Sequence, residues 1–247
     1  MLYFCIAVPV IPLPDKVLVK NPGFLFLSMS EKELLEKVFS TQRMSRYFAL
    51  YPHDDARAIL HYKENLKVAS ALYTSLSVFE VTLRNALSRE MSIYTGRSDW
   101  YSIFDVEESL SELRYDIQSA KSHISNRGEK ITPDKIVSEL TFGFWVTMLN
   151  SEYELTLWKP LRKAFPFMPK VLRKRKNVSA PCNTFRKLRN RIFHHESICW
   201  DLNYVATIHN RIVEVLGWMD KDLPTWLATI DDFDQVEANV KREMGWR

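Results

Sequence analysis

Glycine is scarce in this sequence. Only six glycines occur among 247 residues, and they are spread thinly along the chain. Loops that bind nucleotide phosphates need clustered glycines, so a P-loop or a dinucleotide-binding fingerprint is excluded. The G-x-S-x-G motif of serine hydrolases is absent as well. Alternating apolar and polar runs of strand length are absent too. The sequence therefore predicts an all-α protein.

Cysteine is also rare, and no C-x-x-C pair occurs. Three cysteines make an odd number, which is typical of reduced thiols in a cytoplasmic protein. A zinc site built from Cys182, His194, His195 and Cys199 would lack any recognised ligand spacing. Adjacent histidines diverge on a helix and cannot chelate one ion as H-E-x-x-H does. We expect no metal and no cofactor.

Long apolar runs are missing as well, which argues against a membrane protein. Met1–Pro9 is apolar but too short to span a bilayer, and prolines soon interrupt the run that a signal peptide would need. A helix start follows only after Met29, where Ser30 and Glu33 have the spacing of a capping box. Residues 1–28 are interpreted as a disordered tail or as a mis-annotated upstream start. Residues 29–247 then form one helical domain, within which 29–52 could be a subdomain.

Helical periodicity fills the rest of the chain. Two short helices are predicted from Ser30 to Tyr51, split near Thr41, followed by the longest helix, which ends near Gly96. Its apolar residues recur at spacings of three and four, as in a helix packed lengthwise on another: Ala69, Leu72, Leu76, Phe79, Leu83 and Ala86. Further helices are predicted over 105–126, 133–149, 151–165, 201–216, 224–227 and 232–244. We expect a multi-helix bundle with long antiparallel helices.

Positive charge is concentrated in one part of the chain. The net charge is only +4, yet residues 155–195 contain twelve lysines or arginines and no acidic residue. A run of four begins at Arg173, in a predicted loop between prolines. We expect this region to bind phosphate groups, although a solvated basic face would look the same in sequence. The residues predicted to bind RNA are Arg173, Lys174, Arg175, Lys176, Arg186, Lys187 and Arg191.

The segment Phe185–Glu196 has the composition of an active site and is predicted to be helical throughout. Arg186, Asn190 and His194 share one face at spacings of four, and Arg189 lies at its edge, within reach of His194. Histidine can move protons near neutral pH, and arginine can hold a phosphate with a planar fork of donors. These are the groups that cleavage of RNA by its own 2′-hydroxyl requires.

The same segment resembles a known family. Arg189-Asn190-x-x-x-His194 is similar to the R-x4-6-H signature of HEPN ribonucleases, and residues 188–196 resemble its form in Abi-like proteins of the AbiD/AbiF abortive-infection family. The similarity extends in order over roughly residues 30 to 230. It also includes Phe79–Leu87, Leu140–Trp145, Leu157–Leu161 and Phe165-Pro166. Phe193 and Ser197 depart from the family, which often has a small residue and a proline there.

The resemblance implies an all-helical, HEPN-type, metal-independent endoribonuclease that acts in phage defence as a toxin. It also implies a homodimer, RNA as substrate, and an antitoxin or a phage-derived trigger as partner. His194, or His195 in its place, would be the general acid or base. Arg189 would clamp the phosphate and Asn190 would orient the imidazole.

An earlier stretch repeats part of this pattern. Arg84-Asn85 echoes Arg189-Asn190, but no histidine follows at the required spacing, so Glu80, Arg84 and Asn85 are assigned a supporting role. Glu80 and Arg84 lie four residues apart and could pair on a helix.

A second interpretation involves no catalysis. Arg189, Asn190 and His194 could form a buried hydrogen-bond network between helices, and the basic surface could belong to an RNA- or protein-binding module. The exposure of His194 distinguishes the two interpretations.

Overall fold

The computed structural model describes residues 29–247, and no β-strand occurs in them, which confirms the all-α prediction. The predictions for residues 1–28 lie outside the described residues. The helices are α1 (Glu31–Phe39), α2 (Thr41–Leu50), α3 (Asp55–Thr95), α4 (Ser111–Asn126), α5 (Pro133–Glu139), α6 (Phe142–Thr147), α7 (Glu154–Leu161), α8 (Arg175–Phe193), α9 (Leu202–Met219), α10 (Leu223–Leu227) and α11 (Phe233–Met244).

The chain divides into two compact units, with the boundary between Ile59 and Leu60 inside α3. In the first unit, α1 begins with the predicted capping box: the Ser30 amide donates to the Glu33 carboxylate at 2.8 Å, and the Ser30 hydroxyl accepts from the Glu33 amide. Ser40 separates α1 from α2 and caps the second helix. The predicted pair of short helices is therefore confirmed.

The second unit is built on α3. Phe79 is fully buried, and its ring contacts those of Phe142 in α6 and Phe185 in α8 at centroid distances of 6.1 and 4.9 Å. Aromatic side chains contribute large buried areas, so this contact joins three helices at one point of the core. The predicted seam of α3 is buried from Leu72 to Ala86, whereas Ala69 is only half-buried.

Three predicted helix boundaries before residue 170 are wrong. The helix expected from residue 105 begins at Ser111, after two short 3-10 turns. The helix over 133–149 is broken because Leu140 is extended and the Thr141 hydroxyl accepts from the Phe144 amide, which starts α6. Ser151 opens a 3-10 turn, and α7 begins only at Glu154.

Helix α8 carries the segment of interest and differs from the prediction at both ends. It begins at Arg175, inside the basic run that was expected to be a loop, and it continues through Pro181. A proline inside a helix removes one backbone hydrogen bond. Burial of the apolar face formed by Val178, Cys182 and Phe185 offsets that loss. Helix α9 follows a short connection and packs on α8.

Within the described residues, α3 is also the one helix long and apolar enough to cross a membrane by length and composition. Core helices of soluble proteins meet the same criterion. Helix α3 carries the buried seam just described, together with buried polar side chains at His61, Glu64 and Asn65. These features are typical of a core helix.

Candidate active site

The C-terminus of α8 places two imidazoles at the surface. His194 is the last residue with near-helical backbone, and His195 has a left-handed backbone with φ of 55°. The His195 amide donates to the Ile192 carbonyl at 2.9 Å, and the Glu196 amide donates to the Arg191 carbonyl at 2.8 Å. This bond pair is a Schellman motif, which ends a helix. The prediction that the helix extends to Glu196 was therefore wrong, and both histidines are exposed.

The connection after His195 is fixed to α3. The Asn65 side-chain oxygen accepts from the amides of Ile198 and Cys199 at 2.7 and 3.0 Å, and from the Ser197 hydroxyl at 3.4 Å. The Nε2 atom of His61 lies 3.3 Å from the Cys199 carbonyl oxygen, which accepts when that nitrogen carries the proton. Both side chains are buried. The exposed imidazoles are therefore carried on an anchored backbone.

Neither anchoring residue was recognised from the sequence. The available signal was that His61 and Asn65 are polar residues four positions apart, on the buried side of a helix that is mostly apolar there. Buried polar groups require partners, so such a pair indicates that another segment of backbone lies against that turn. The sequence does not indicate which segment this is.

Burial favours the neutral forms of the His61 imidazole and the Cys199 thiol. Burial lowers the pKa of His61, although its hydrogen bond to the Cys199 carbonyl acts in the opposite direction. Burial raises the pKa of Cys199 to about 12, and the nearby Glu64 carboxylate adds to this rise. The Cys199 thiol is therefore no nucleophile at neutral pH.

Arg189 contacts Glu80 and Phe193 rather than the histidines. Its Nε atom lies 3.6 Å from a Glu80 carboxylate oxygen, and its guanidinium carbon lies 4.1 Å from the centre of the Phe193 ring. Burial raises the pKa of Glu80, while the charges of Arg189 and Arg84 oppose that rise. Among the contacts within residues 29–247, none joins the Arg189 guanidinium to the His194 imidazole. The expected convergence of these two groups is not formed in this conformation.

The other members of the predicted polar set are also separate from the imidazole. Asn190 is exposed, and its backbone carbonyl, rather than its side chain, accepts from the His194 amide at 2.9 Å. The Nε atom of Arg84 donates to the Asn85 side chain at 3.3 Å, and Glu80 is paired with Arg189 instead of Arg84.

Two arginines of the basic run stabilise backbone segments. Arg173 donates to the carbonyls of Pro166 and Met168 at 2.9 and 2.8 Å. Arg175 pairs with Glu154 at 2.8 Å and donates to the Leu149 carbonyl at 3.1 Å. These contacts leave fewer donors for phosphate. Lys174 and Lys176, next to them in the chain, are exposed.

The cations of α8 show the same division. Arg186 donates to the Asn183 side chain at 3.0 Å. Arg191 donates to the Ser197 carbonyl, and its Nε atom lies 3.4 Å from a Glu196 carboxylate oxygen. Lys187 is exposed. Among the predicted RNA-binding residues, the lysines are therefore exposed, whereas each arginine also makes a hydrogen bond or ion pair within the protein.

The four residues considered for zinc are not gathered. Cys182 and Cys199 are buried, whereas His194 and His195 are exposed. No group of three or more histidine, cysteine, aspartate or glutamate side chains in residues 29–247 is arranged to hold a metal ion.

The chain matches no family model, and no curated protein or solved structure is significantly similar to it.

Proposed function

We propose that this chain is a metal-independent endoribonuclease of the abortive-infection type that cleaves exposed RNA in the cytoplasm. The observation that carries the proposal is the pair of exposed imidazoles, His194 and His195, on a backbone anchored by Asn65. A strongly basic stretch precedes the two histidines in the chain, which favours an RNA phosphate as the ligand. The resemblance of residues 188–196 to Abi-like HEPN ribonucleases supports the same chemistry.

In the proposed reaction, the 2′-hydroxyl of RNA attacks the adjacent phosphorus. A neutral imidazole accepts the hydroxyl proton, and a protonated imidazole donates a proton to the departing 5′-oxygen. The products are a 2′,3′-cyclic phosphate and a 5′-hydroxyl end, so the chemistry requires no metal. Arg189 is about one-third exposed and would exchange its contact with Glu80 for the charged phosphate.

A second copy of the chain would complete the site. One chain supplies a single pair of neighbouring histidines. In a homodimer, the general acid and the general base could come from different chains. The exposed rings of Tyr73 and Phe193 lie 6.2 Å apart beside Arg189, and they offer an apolar patch for this contact. An antitoxin or a phage-derived molecule would then act by covering or rearranging this surface.

The test is RNA cleavage in excess EDTA. Acid–base catalysis by histidine contributes about a hundredfold or more to rate, so the double variant His194→Ala with His195→Ala should lose at least that factor. His123→Ala is the matched control, because His123 is exposed on α4. A requirement for divalent metal, or full activity in the double variant, would refute the proposal.

One observation favours a non-catalytic RNA- or protein-binding module instead, namely the engagement of Arg189 by Glu80 and Phe193. The variant Arg189→Gln separates the two functions. If Arg189 holds the scissile phosphate, cleavage falls while the unfolding midpoint changes little. If Arg189 only joins α3 and α8, the unfolding midpoint falls, and wild-type protein binds RNA without cutting it.

A further inference from the structure

A pocket of about 310 Å³ lies between α8 and the start of α9. Its floor is apolar, because four buried side chains line it: Leu188, Ile198, Val205 and Ile208. The Ile198 amide donates a hydrogen bond to the Asn65 side chain, so part of this floor is anchored to α3. The pocket is therefore formed by two helices and an anchored connection.

Aromatic side chains form part of the pocket wall. Trp200 and Tyr204 line it, and Tyr204 is 55% exposed. Trp200 is half-buried and packs edge-on against His61, so Tyr204 is the exposed ring of the two. An exposed aromatic ring beside an apolar floor is suited to stacking on a flat ring such as a nucleobase.

Cations line the same pocket. Lys187 and Arg191 lie one helical turn apart on α8, and Lys187 is exposed. Arg191 also contacts Glu196 and the Ser197 carbonyl, so Lys187 is the cation better placed to receive a phosphate. A flat ring and a phosphate together are the chemical features of a nucleotide.

One carboxylate in the pocket limits which base can bind. Asp201 uses one oxygen to accept from the Tyr204 amide at 2.9 Å, which leaves the second oxygen as an acceptor. Guanine is the RNA base that presents two neighbouring N–H donors on one edge. Uracil places a carbonyl oxygen on each side of its single donor, and a carboxylate would repel both.

We propose that this pocket binds a guanine nucleotide of the RNA substrate. Tyr204 and Trp200 would stack on the base, Asp201 would accept from its donor edge, and Lys187 would bind the phosphate. That the nucleotide belongs to a cleaved RNA rests on the proposed function. Lys187 precedes His194 by seven residues, a rise of about 10.5 Å along a helix, so the bound guanosine would lie near the scissile phosphate rather than at it.

Binding of small ligands tests the pocket independently of cleavage. Calorimetric titration of the full chain with GMP, UMP and guanosine should give about tenfold tighter binding for GMP than for UMP. Tyr204→Ala should weaken GMP binding about tenfold, whereas Tyr115→Ala, at a more exposed tyrosine on α4, should leave it unchanged. Equal affinity for GMP and UMP, or unchanged affinity in Tyr204→Ala, would overturn the proposal.

Two conservative variants assign the roles of the polar groups. Asparagine caps helices as well as aspartate does, so Asp201→Asn should keep α9 intact while it abolishes the preference for GMP over UMP. Lys187→Gln should reduce the advantage of GMP over guanosine about fivefold, because it removes the phosphate contact. If either variant retains the wild-type preference, the assigned contact is wrong.

A competition experiment distinguishes an RNA base from a free nucleotide. A short RNA with a single guanosine should displace GMP, whereas oligouridine of the same length should not. If GMP binds and the guanosine-containing RNA fails to displace it, the pocket takes free nucleotide and the RNA assignment fails. Loss of cleavage in the histidine variants leaves these titrations unaffected, so failure of the pocket and failure of the nuclease proposal are separable.

Discussion

Asn65 shows how much of this site depends on one side chain. Its oxygen accepts from two consecutive backbone amides, at Ile198 and Cys199, in a buried position. Each amide would otherwise face an interior with no acceptor, and an unsatisfied buried donor costs about 1–3 kcal/mol. The residue therefore stabilises both the core and the surface segment above it.

Replacing Asn65 with alanine should lower the free energy of unfolding by about 3 kcal/mol, because two buried donors lose their acceptor. Urea unfolding measures this difference. Gln118→Ala removes an exposed amide from α4 and should change stability by less than about 0.5 kcal/mol. An Asn65→Ala protein as stable as the control would show that the connection finds other partners.

His195 carries the left-handed backbone that ends α8. A side chain there costs about 1 kcal/mol relative to glycine, so His195→Gly should be about 1 kcal/mol more stable than His195→Ala in urea unfolding. At Ser119, an exposed position inside α4, the order should reverse, because alanine favours a helix over glycine. The same order at both positions would contradict the assigned backbone geometry.

At the scale of elements, α3 holds the α8–α9 connection through a neutral histidine. The pKa of His61 is lowered in the folded protein, so the unfolded chain takes up a proton first as pH falls below about 6.5. This contribution to stability is complete above that pH and is lost in more acid solution.

Between pH 7.5 and 5.5, the wild type should lose about 1 kcal/mol more stability than His61→Gln, whose amide can donate to the same Cys199 carbonyl without titrating. Urea unfolding at several pH values measures both slopes. Because the other histidines are common to the two proteins, their titration cancels in the difference. Identical slopes would mean that His61 titrates normally in the fold.

The starts of several helices could be predicted because their signals are local. Ser30 with Glu33, Thr132 with Lys135, and Asp201 with Tyr204 form caps at positions where helices are predicted to begin. Such caps involve residues three positions apart, so the pattern is visible without knowledge of the fold.

The arrangement of the candidate site was less predictable because it depends on distant partners. Asn65 lies 133 residues before Ile198. The sequence places several possible partners near Arg189, and in the structure its side chain contacts Glu80 and Phe193 rather than His194. Helix α8 continues past Pro181 because its buried face outweighs a local signal for a break.

At the scale of the whole molecule, the net charge of +4 conceals a strongly basic region. Arg173, Arg175 and Arg191 of this region donate to backbone carbonyls, whereas Lys174, Lys176 and Lys187 are exposed. Phosphate binding and structural support are therefore divided between two residue types. A salt titration can detect this division, since each phosphate contact releases counterions.

Neutralising the three exposed lysines (Lys174→Gln, Lys176→Gln, Lys187→Gln) should reduce the slope of log affinity against log salt for single-stranded RNA by about 2. The control replaces Lys37, Lys130 and Lys221 with glutamine, which changes the net charge equally at exposed positions elsewhere. Filter binding at several salt concentrations provides both slopes. Equal slopes in the two triple variants would place the RNA on another surface.

The tie between Asn65 and the backbone at Ile198 and Cys199 spans 133 and 134 residues. A ribosome therefore translates all of α3 through α8 before that tie can close. An incomplete product that stops short of Ile198 would display the basic helix without any ordered presentation of the two histidines. The described arrangement of the two histidines can therefore form only after Ile198 and Cys199 have been synthesised.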